Sequence, residues 1–269
     1  MKKLIPIMKY ISIDELKQVQ LDMLKDIDSF CNENNIRYFL TYGTLLGAVR
    51  HKGYIPWDDD IDICLPRPDY ERFVSLYKNV ERNYHVVEFR KTNGYGLPFA
   101  KVSNENTVMN EYLYDKDAFG VYIDVFPIDG YEKKIQIILS LWLNKFLNTK
   151  KAVLGRNRSL VKNILIAIGK IALFPFSVKM ILNKMHHVAT AFDYSKSLQT
   201  EIFCSSTVER EIVPKFVFEK VIKSEFENLK VNIPAEYDKY LKALFGDYMT
   251  LPPKEKQISH HSFEAWWKD

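Results

Sequence analysis

The pattern of apolar residues near the start of the chain changes period twice. Over residues 12–35, apolar side chains recur three and four positions apart and Ser12 begins a capping box, so an amphipathic helix is predicted. Residues 37–42 are aromatic and apolar, which is typical of a strand, and Gly43 follows directly. A short helix is predicted over residues 44–50.

A strand that carries carboxylates comes next. Residues 60–65 alternate aspartate with apolar side chains and stop at Pro66, which predicts one charged face and one buried face. Pro68 lies near the start of a second predicted helix. Further strands are predicted at residues 84–90, 97–102 and 121–126, long helices between residues 133 and 187, and a helix, a Pro-Pro segment and an aromatic end within residues 234–269. Strands interspersed with helices predict a mixed α/β fold.

The overall charge conceals an uneven distribution. The 269 residues are 47% hydrophobic, enough for a folded core, and their formal net charge of +4 excludes a generically polybasic nucleic-acid-binding protein. Residues 133–192, however, contain 11 Lys and Arg and no Asp or Glu. We therefore divide the chain into a core (1–132), a basic and apolar helical accessory segment (133–192) and a C-terminal part that completes the core (193–269).

The basic segment has two interpretations. Helices that combine lysines with apolar runs are typical of elements that lie on an anionic membrane surface. The alternative is a pair of accessory helices packed on the core, with their lysines simply solvated. The N-terminal apolar stretch is broken by Pro6 and Lys9, and no run reaches the roughly 18 to 20 apolar residues of a membrane span. The expected location is the cytoplasm, with peripheral contact at the inner face of the cell membrane under the first interpretation.

Four aspartates are candidate metal ligands. Asp60 and Asp62 would project from one face of the predicted strand, where their charges repel unless a cation lies between them. Asp124 interrupts an apolar strand and becomes a third ligand if the two strands are neighbours, and Asp58 is a further candidate. Such oxygen ligands favour Mg²⁺, with Mn²⁺ as an alternative. The other interpretations are a solvated acidic turn and a solvent-facing edge strand; Asp129 is interpreted as a turn residue.

Groups on either side of the carboxylates are candidates for binding phosphate. A strand that ends at Gly43 and opens a helix presents free N–H groups to an anion, and the Thr44 hydroxyl adds a donor. Arg50 and Lys52 add positive charge at the other end of that helix, where complementation of the helix dipole is the alternative. Lys101 lies within a predicted strand and either faces solvent or contacts phosphate. Metal ligands beside an anion-binding turn suit a diphosphate.

The positions of the cysteines do not indicate a zinc site. Cys31, Cys64 and Cys204 are scattered, with no pair at zinc-ligand spacing, so neither a zinc site nor a disulfide scaffold is expected.

Two longer motifs carry a family resemblance. Residues 42–62, YGTLLGAVRHKGYIPWDDDID, resemble the LicD family, whose relatives include the fukutin-type proteins. Residues 240–249, YLKALFGDYM, with the Leu-Pro-Pro that follows and His260, are similar to the closing segment of that family. The motifs occur in the family's order, about 200 residues apart, and the resemblance covers nearly the whole chain.

The resemblance implies a nucleotidyltransferase-like fold, with a mixed sheet and flanking helices. It also implies a phosphotransferase that moves a phosphorylated alcohol, often phosphocholine from CDP-choline, onto a sugar of a cell-surface glycan. It implies that Gly43 and Thr44 form the phosphate-binding turn, that Asp60 and Asp62 are the metal-binding pair, and that Asp124 supplies a third carboxylate. The implied partners are a CDP-alcohol and a glycan acceptor carried on a lipid, such as a teichoic acid, capsule or lipopolysaccharide precursor, and no nucleic acid.

The mechanism expected from this resemblance is Mg²⁺-dependent, in-line transfer that releases CMP, with Asp60, Asp62 and Asp124 as catalytic residues. Asp124 and His260 are alternative bases for the attacking hydroxyl, and Trp57 is a candidate platform for a quaternary ammonium group. Two alternatives stay open. One is the same chemistry with phosphoglycerol or phosphoribitol as cargo, and the other is a non-catalytic, membrane-associated scaffold for glycan assembly.

Overall fold

The computed structural model describes residues 9–111, 119–155, 159–204, 208–258 and 263–268. Its helices are α1 (Ile13–Glu33), α2 (Tyr42–Arg50), α3 (Arg67–Leu76), α4 (Lys134–Lys151), α5 (Leu160–Ala172), α6 (Val178–Ala189) and α7 (Tyr237–Phe245). Its strands are β1 (Lys9–Ile11), β2 (Phe39–Leu40), β3 (Asp62–Pro66), β4 (Lys78–Asn79), β5 (Tyr84–Val87), β6 (Ala100–Asn104), β7 (Thr107–Glu111), β8 (Tyr122–Tyr131), β9 (Gln199–Glu201), β10 (Val213–Pro214), β11 (Val221–Phe226), β12 (Leu229–Pro234) and β13 (Phe263–Trp267).

Strand β8 lies at the centre of the main sheet. It pairs in parallel with β3 and antiparallel with β6 and β9, and the sheet runs β10-β9-β8-β6-β5-β4 with β2 paired to β3. A parallel pair needs a long crossover, and here α3 and strands β4 to β7 separate β3 from β8. The predicted mixed α/β fold is confirmed, and its topology brings residues far apart in sequence side by side.

The main hydrophobic core fills the space between α1 and the sheet. Met23, Leu24 and Ile27 of α1 are fully buried, as are Ile63 of β3 and Ile123 of β8. The buried face of α1 repeats at helical spacing, while β3 and β8 lie inside the fold and are apolar along most of their length. The core therefore fixes the two strands that carry the candidate metal ligands.

Local signals in the sequence account for where the helices begin. The Ser12 hydroxyl accepts a hydrogen bond from Glu15 N at 3.3 Å and caps α1, and Ser159 and Ser177 cap α5 and α6 in the same way. Helix α3 begins at Arg67 with Pro68 in its first turn, where a missing N–H has no cost.

The basic segment forms three helices that differ in burial. Helices α4 and α6 pack together, burying Leu147 of α4 and Ile181, Leu182 and Met185 of α6. No residue of α5 is buried. Among the described residues, no helix combines the length and the apolar character required to cross a membrane.

Two details of the carboxylate strands differ from the sequence predictions. The predicted strand from residue 60 begins only at Asp62, so Asp60 lies in the preceding loop. The assignment of Asp129 to a turn was wrong, because it lies in β8 and is buried against Arg67, with the Arg67 Nε and Nη2 atoms 2.6 and 2.7 Å from its two carboxylate oxygens. A bidentate ion pair lets this carboxylate be buried inside the sheet.

Candidate active site

A row of charged side chains crosses the centre of the main sheet. Asp62 of β3 pairs in register with Asp124 of β8, and Asp124 pairs in register with Lys101 of β6. Lys101 Nζ donates a hydrogen bond to Asp124 Oδ1 at 2.7 Å and lies 3.1 Å from the centre of the Tyr122 ring. Tyr122 is two residues before Asp124 on β8 and therefore shares its face. The two predicted carboxylate strands are neighbours, as the metal-site interpretation required.

The loop before β3 adds more carboxylates. One oxygen from each of Asp58, Asp59 and Asp60 lies within 4.8 Å of the others, a spacing that a single metal ion could span. Asp58 contacts the start of α2 so closely that a Cβ atom on residue 43 would lie 2.5 Å from Asp58 Oδ2. A side chain at residue 43 would therefore displace the Asp58 carboxylate from its present position.

The Gly43-Thr44 turn is also bonded to the carboxylate strand. The Thr44 hydroxyl oxygen accepts a hydrogen bond from Asp62 N at 2.8 Å, and Thr41 N donates to Asp62 O at 3.1 Å. Because the hydroxyl accepts from the strand, its own proton is directed elsewhere and can donate to a ligand. The first N–H groups of α2 lie at this turn, and such groups have no acceptor inside a helix. An anion-binding turn and a carboxylate cluster are thus adjacent.

The electrostatics of the cluster favour a bound cation. Burial raises the pKa of Asp62 well above its ordinary value, the negative charges of Asp60, Asp124 and Asp58 raise it further, and Lys101 opposes the shift. A divalent cation with oxygen ligands would relieve this repulsion. The donor set consists of carboxylates, which suits Mg²⁺ or Mn²⁺ and does not suit a soft metal. Asp58, Asp59 and Asp60 in the loop, together with Asp62 and Asp124 on the paired strands, are the residues that could hold it.

Comparison with known proteins assigns the chain to a family. Residues 35–154 match the family model described as LicD/FKTN/FKRP, nucleotidyltransferase domain. The chain is 30% identical over 271 aligned residues to the lipopolysaccharide cholinephosphotransferase LicD of Haemophilus influenzae, covering 96% of this chain and 99% of that protein. The chain belongs to the LicD family. Uncharacterized proteins of Rickettsia typhi and Rickettsia prowazekii match shorter stretches, at 45% identity over 80 residues and 38% over 69.

The LicD-family match covers Gly43, Thr44, Lys101 and all the candidate metal ligands, but other predicted residues lie in different surroundings. Arg50, at the opposite end of α2 from Gly43, donates from Nη1 to Tyr248 O at 2.7 Å and from Nε to His51 Nε2 at 2.9 Å. Burial lowers the pKa of Arg50. Lys52 is exposed just after α2. A phosphate role for Arg50 and Lys52 stays a prediction, and in this structure Arg50 links α2 to the C-terminal part of the chain.

Of the two remaining predicted site residues, Trp57 and His260, the structure describes only Trp57. Trp57 is half-buried beside the carboxylate loop, packs against the main core and makes an edge contact with His51, with ring centres 6.4 Å apart. His260 lies outside the described residues.

Sequence reasoning missed residues that hold the site in place. Tyr42 has φ +47° and its hydroxyl donates to Glu211 Oε2 at 2.7 Å, so a distant carboxylate fixes the residue just before Gly43. Glu227 accepts from Tyr54 N at 3.0 Å and closes the loop after α2. Neither glutamate has a local sequence signal. Tyr122, by contrast, could have been found from its period-two spacing to Asp124.

Proposed function

We propose that this LicD-family protein is a phosphotransferase that moves phosphocholine from CDP-choline onto a sugar hydroxyl of a cell-surface glycan. The observation that carries the proposal is the Asp62–Asp124–Lys101 row beside the Gly43-Thr44 turn, because it joins metal ligands to an anion-binding helix start. The similarity to a lipopolysaccharide cholinephosphotransferase over 96% of the chain supports phosphocholine as the group transferred.

In the proposed reaction the protein mainly positions charged groups. A bound Mg²⁺ ion would neutralise the carboxylates and polarise the phosphoryl oxygens. The N–H groups at Gly43 and Thr44 bind oxygens of the diphosphate. The acceptor hydroxyl forms a new O–P bond to the phosphocholine phosphorus while the P–O bond to CMP breaks, and CMP leaves. The hydroxyl proton passes to a base, for which Asp124 is the candidate within the site and Lys101 fixes its orientation.

The assay is release of CMP from CDP-choline in the presence of an acceptor glycan and Mg²⁺. Asp62→Asn and Asp60→Asn are expected to lower the rate by about a thousandfold, since each removes charge that stabilises the transferring phosphoryl group. The matched control is Asp22→Asn, which removes an exposed carboxylate from α1. Chelation with EDTA is expected to abolish CMP release and added Mg²⁺ or Mn²⁺ to restore it. A wild-type rate in folded Asp62→Asn protein would refute the catalytic assignment.

A panel of donors and acceptors separates the remaining possibilities. CDP-choline, CDP-glycerol and CDP-ribitol are offered with lipopolysaccharide, capsule and teichoic acid precursors. Faster CMP release from CDP-glycerol or CDP-ribitol would indicate that a different phosphorylated alcohol is transferred by the same reaction. No CMP release from any donor would favour the non-catalytic scaffold. Under the proposal, the enzyme works at the inner face of the cell membrane, where a lipid-linked acceptor would be presented.

A further inference from the structure

Helix α5 exposes apolar residues where a helix on a protein surface normally exposes polar ones. Leu160, Val161, Ile164, Leu165, Ile168 and Ile171 are all between 50% and 77% exposed. They recur three and four residues apart and therefore form one continuous stripe. The opposite side approaches α4, where a Cβ on Gly169 would lie 2.8 Å from Thr149 Cγ2. The apolar stripe thus faces away from the protein.

The apolar exposure continues on both sides of α5 in sequence. Phe174 and Phe176, in the turn after α5, are 81% and 48% exposed. On α4 a second stripe is formed by Ile135, Ile138 and Trp142, with Lys145 Nζ 5.5 Å from the centre of a Trp142 ring. We call α5, residues 173–176 and this stripe of α4 the basic-apolar surface.

Charge identifies the partner of this surface. Residues 133–192 carry 11 Lys and Arg and no Asp or Glu. A second copy of the chain docked on the same surface would bring like charges together, which is unfavourable at an interface. An anionic lipid surface offers negative headgroups to the lysines and an apolar layer to the stripe.

We propose that the basic-apolar surface binds peripherally to a bilayer that contains anionic lipid. The apolar stripe of α5 and the two phenylalanines enter the boundary between headgroups and acyl chains. Exposed lysines of the segment, such as Lys145 and Lys162, bind the headgroups. Tryptophan is enriched at this depth of a membrane, and Trp142 is placed to occupy it. The proposal does not depend on the phosphotransferase activity.

The test is flotation of the full-length protein with vesicles. Vesicles of phosphatidylcholine with about 30% phosphatidylglycerol are compared with pure phosphatidylcholine, at low and high salt. Wild-type protein is expected to float with the anionic vesicles, and less so at high salt, because salt screens the headgroup contacts. Ile164→Gln/Ile168→Gln is expected to weaken partitioning at least about tenfold. Lys145→Gln/Lys162→Gln is expected to weaken it by about fivefold for each lysine removed.

The controls separate membrane binding from folding, catalysis and self-association. Val80→Gln exchanges an apolar residue that is 74% exposed outside the segment and should float like wild type. All variants should release CMP from CDP-choline with a water-soluble acceptor at the rate of the unmodified protein, so the two proposals fail separately. Failure of wild type to bind either kind of vesicle overturns the proposal. So does a dimer, detected by light scattering, that the α5 substitutions dissociate while vesicle binding is unchanged.

Discussion

Replacing Lys101 by methionine tests the charge balance of the candidate site. The Lys101 side chain is 3% exposed and Asp124 is 14% exposed, with 2.7 Å between Nζ and Oδ1. Methionine keeps most of the length and volume of the lysine stem and leaves no large cavity. The substitution therefore removes mainly the positive charge that holds Asp124 and opposes the repulsion at Asp62.

The structure sets the size of the expected effect. Breaking a buried ion pair by removing one partner costs about 3–5 kcal/mol, because a buried charge loses its compensation. For a protein of this length, 1 kcal/mol shifts Tm by roughly 2–4 °C, so Lys101→Met is expected to lower Tm by about 10 °C in EDTA. Added Mg²⁺ should recover part of this loss and stabilise the variant more than wild type, since it supplies positive charge at the same place.

The assay is thermal unfolding with and without Mg²⁺, with CMP release as a second readout. Lys78→Met is the matched control, because Lys78 is an exposed lysine on β4 of the same sheet, and its Tm should stay close to wild type. A Tm for Lys101→Met within about 2 °C of wild type in EDTA would refute the reasoning about the buried pair. An equal response of both proteins to Mg²⁺ would refute a metal beside Asp124.

Three further substitutions test the surroundings of the site. Gly43→Ala should lower CMP release at least about tenfold without unfolding, checked by circular dichroism, because its Cβ would lie 2.5 Å from Asp58 Oδ2. Tyr42→Phe should cost about 1–3 kcal/mol in urea unfolding, since the buried Glu211 carboxylate loses a donor. For Glu201, burial and then the charge of Glu211 raise the pKa to about 10 from 4.5. Between the unfolded and folded pKa values only the unfolded state ionises, so the buried Glu201 lowers the free energy of unfolding by about 1.4 kcal/mol per pH unit. The Tm of Glu201→Gln should therefore exceed that of the wild type by an amount that grows from pH 5 to pH 8. A Tm difference that stays constant over this range would contradict the reasoning.

Patterns of residues close together in the sequence predict much of the candidate site. The alternation of aspartate with apolar residues marked Asp62 as a carboxylate on a buried strand, and the apolar run around Asp124 did the same. The glycine after a strand marked Gly43 as the place where a helix starts and presents free N–H groups. Each of these signals depends on neighbours within a few residues, and local periodicity reports such relations well.

The remaining features of the site depend on contacts between residues that are distant in the sequence. The loop position of Asp60 and the strand position of Asp129 follow from where β3 and β8 begin and end, and strand ends are set by pairing. Asp129 lies two residues after Pro127, a sequence typical of a turn, yet the ion pair with Arg67 makes its burial possible. The link from Glu211 to Tyr42 spans 169 positions. A single sequence contains no local trace of such a partner.

The topology also links the two proposed surfaces. Strand β8 carries Asp124 near one end and finishes at Tyr131, and α4 of the basic-apolar surface begins at Lys134. Extended chain rises about 3.3 Å per residue, so the seven steps from Asp124 to Tyr131 cover roughly 23 Å. One central strand, paired along its length, therefore runs from the carboxylate site to the first helix of the basic-apolar surface. Contact of that helix with a bilayer would hold the site at a fixed, short distance from the membrane. A glycan anchored in the membrane by a lipid could reach the site over that distance. The near-neutral net charge of the chain is therefore the sum of an acidic part, which contains the candidate site, and a basic part, which would bind the membrane.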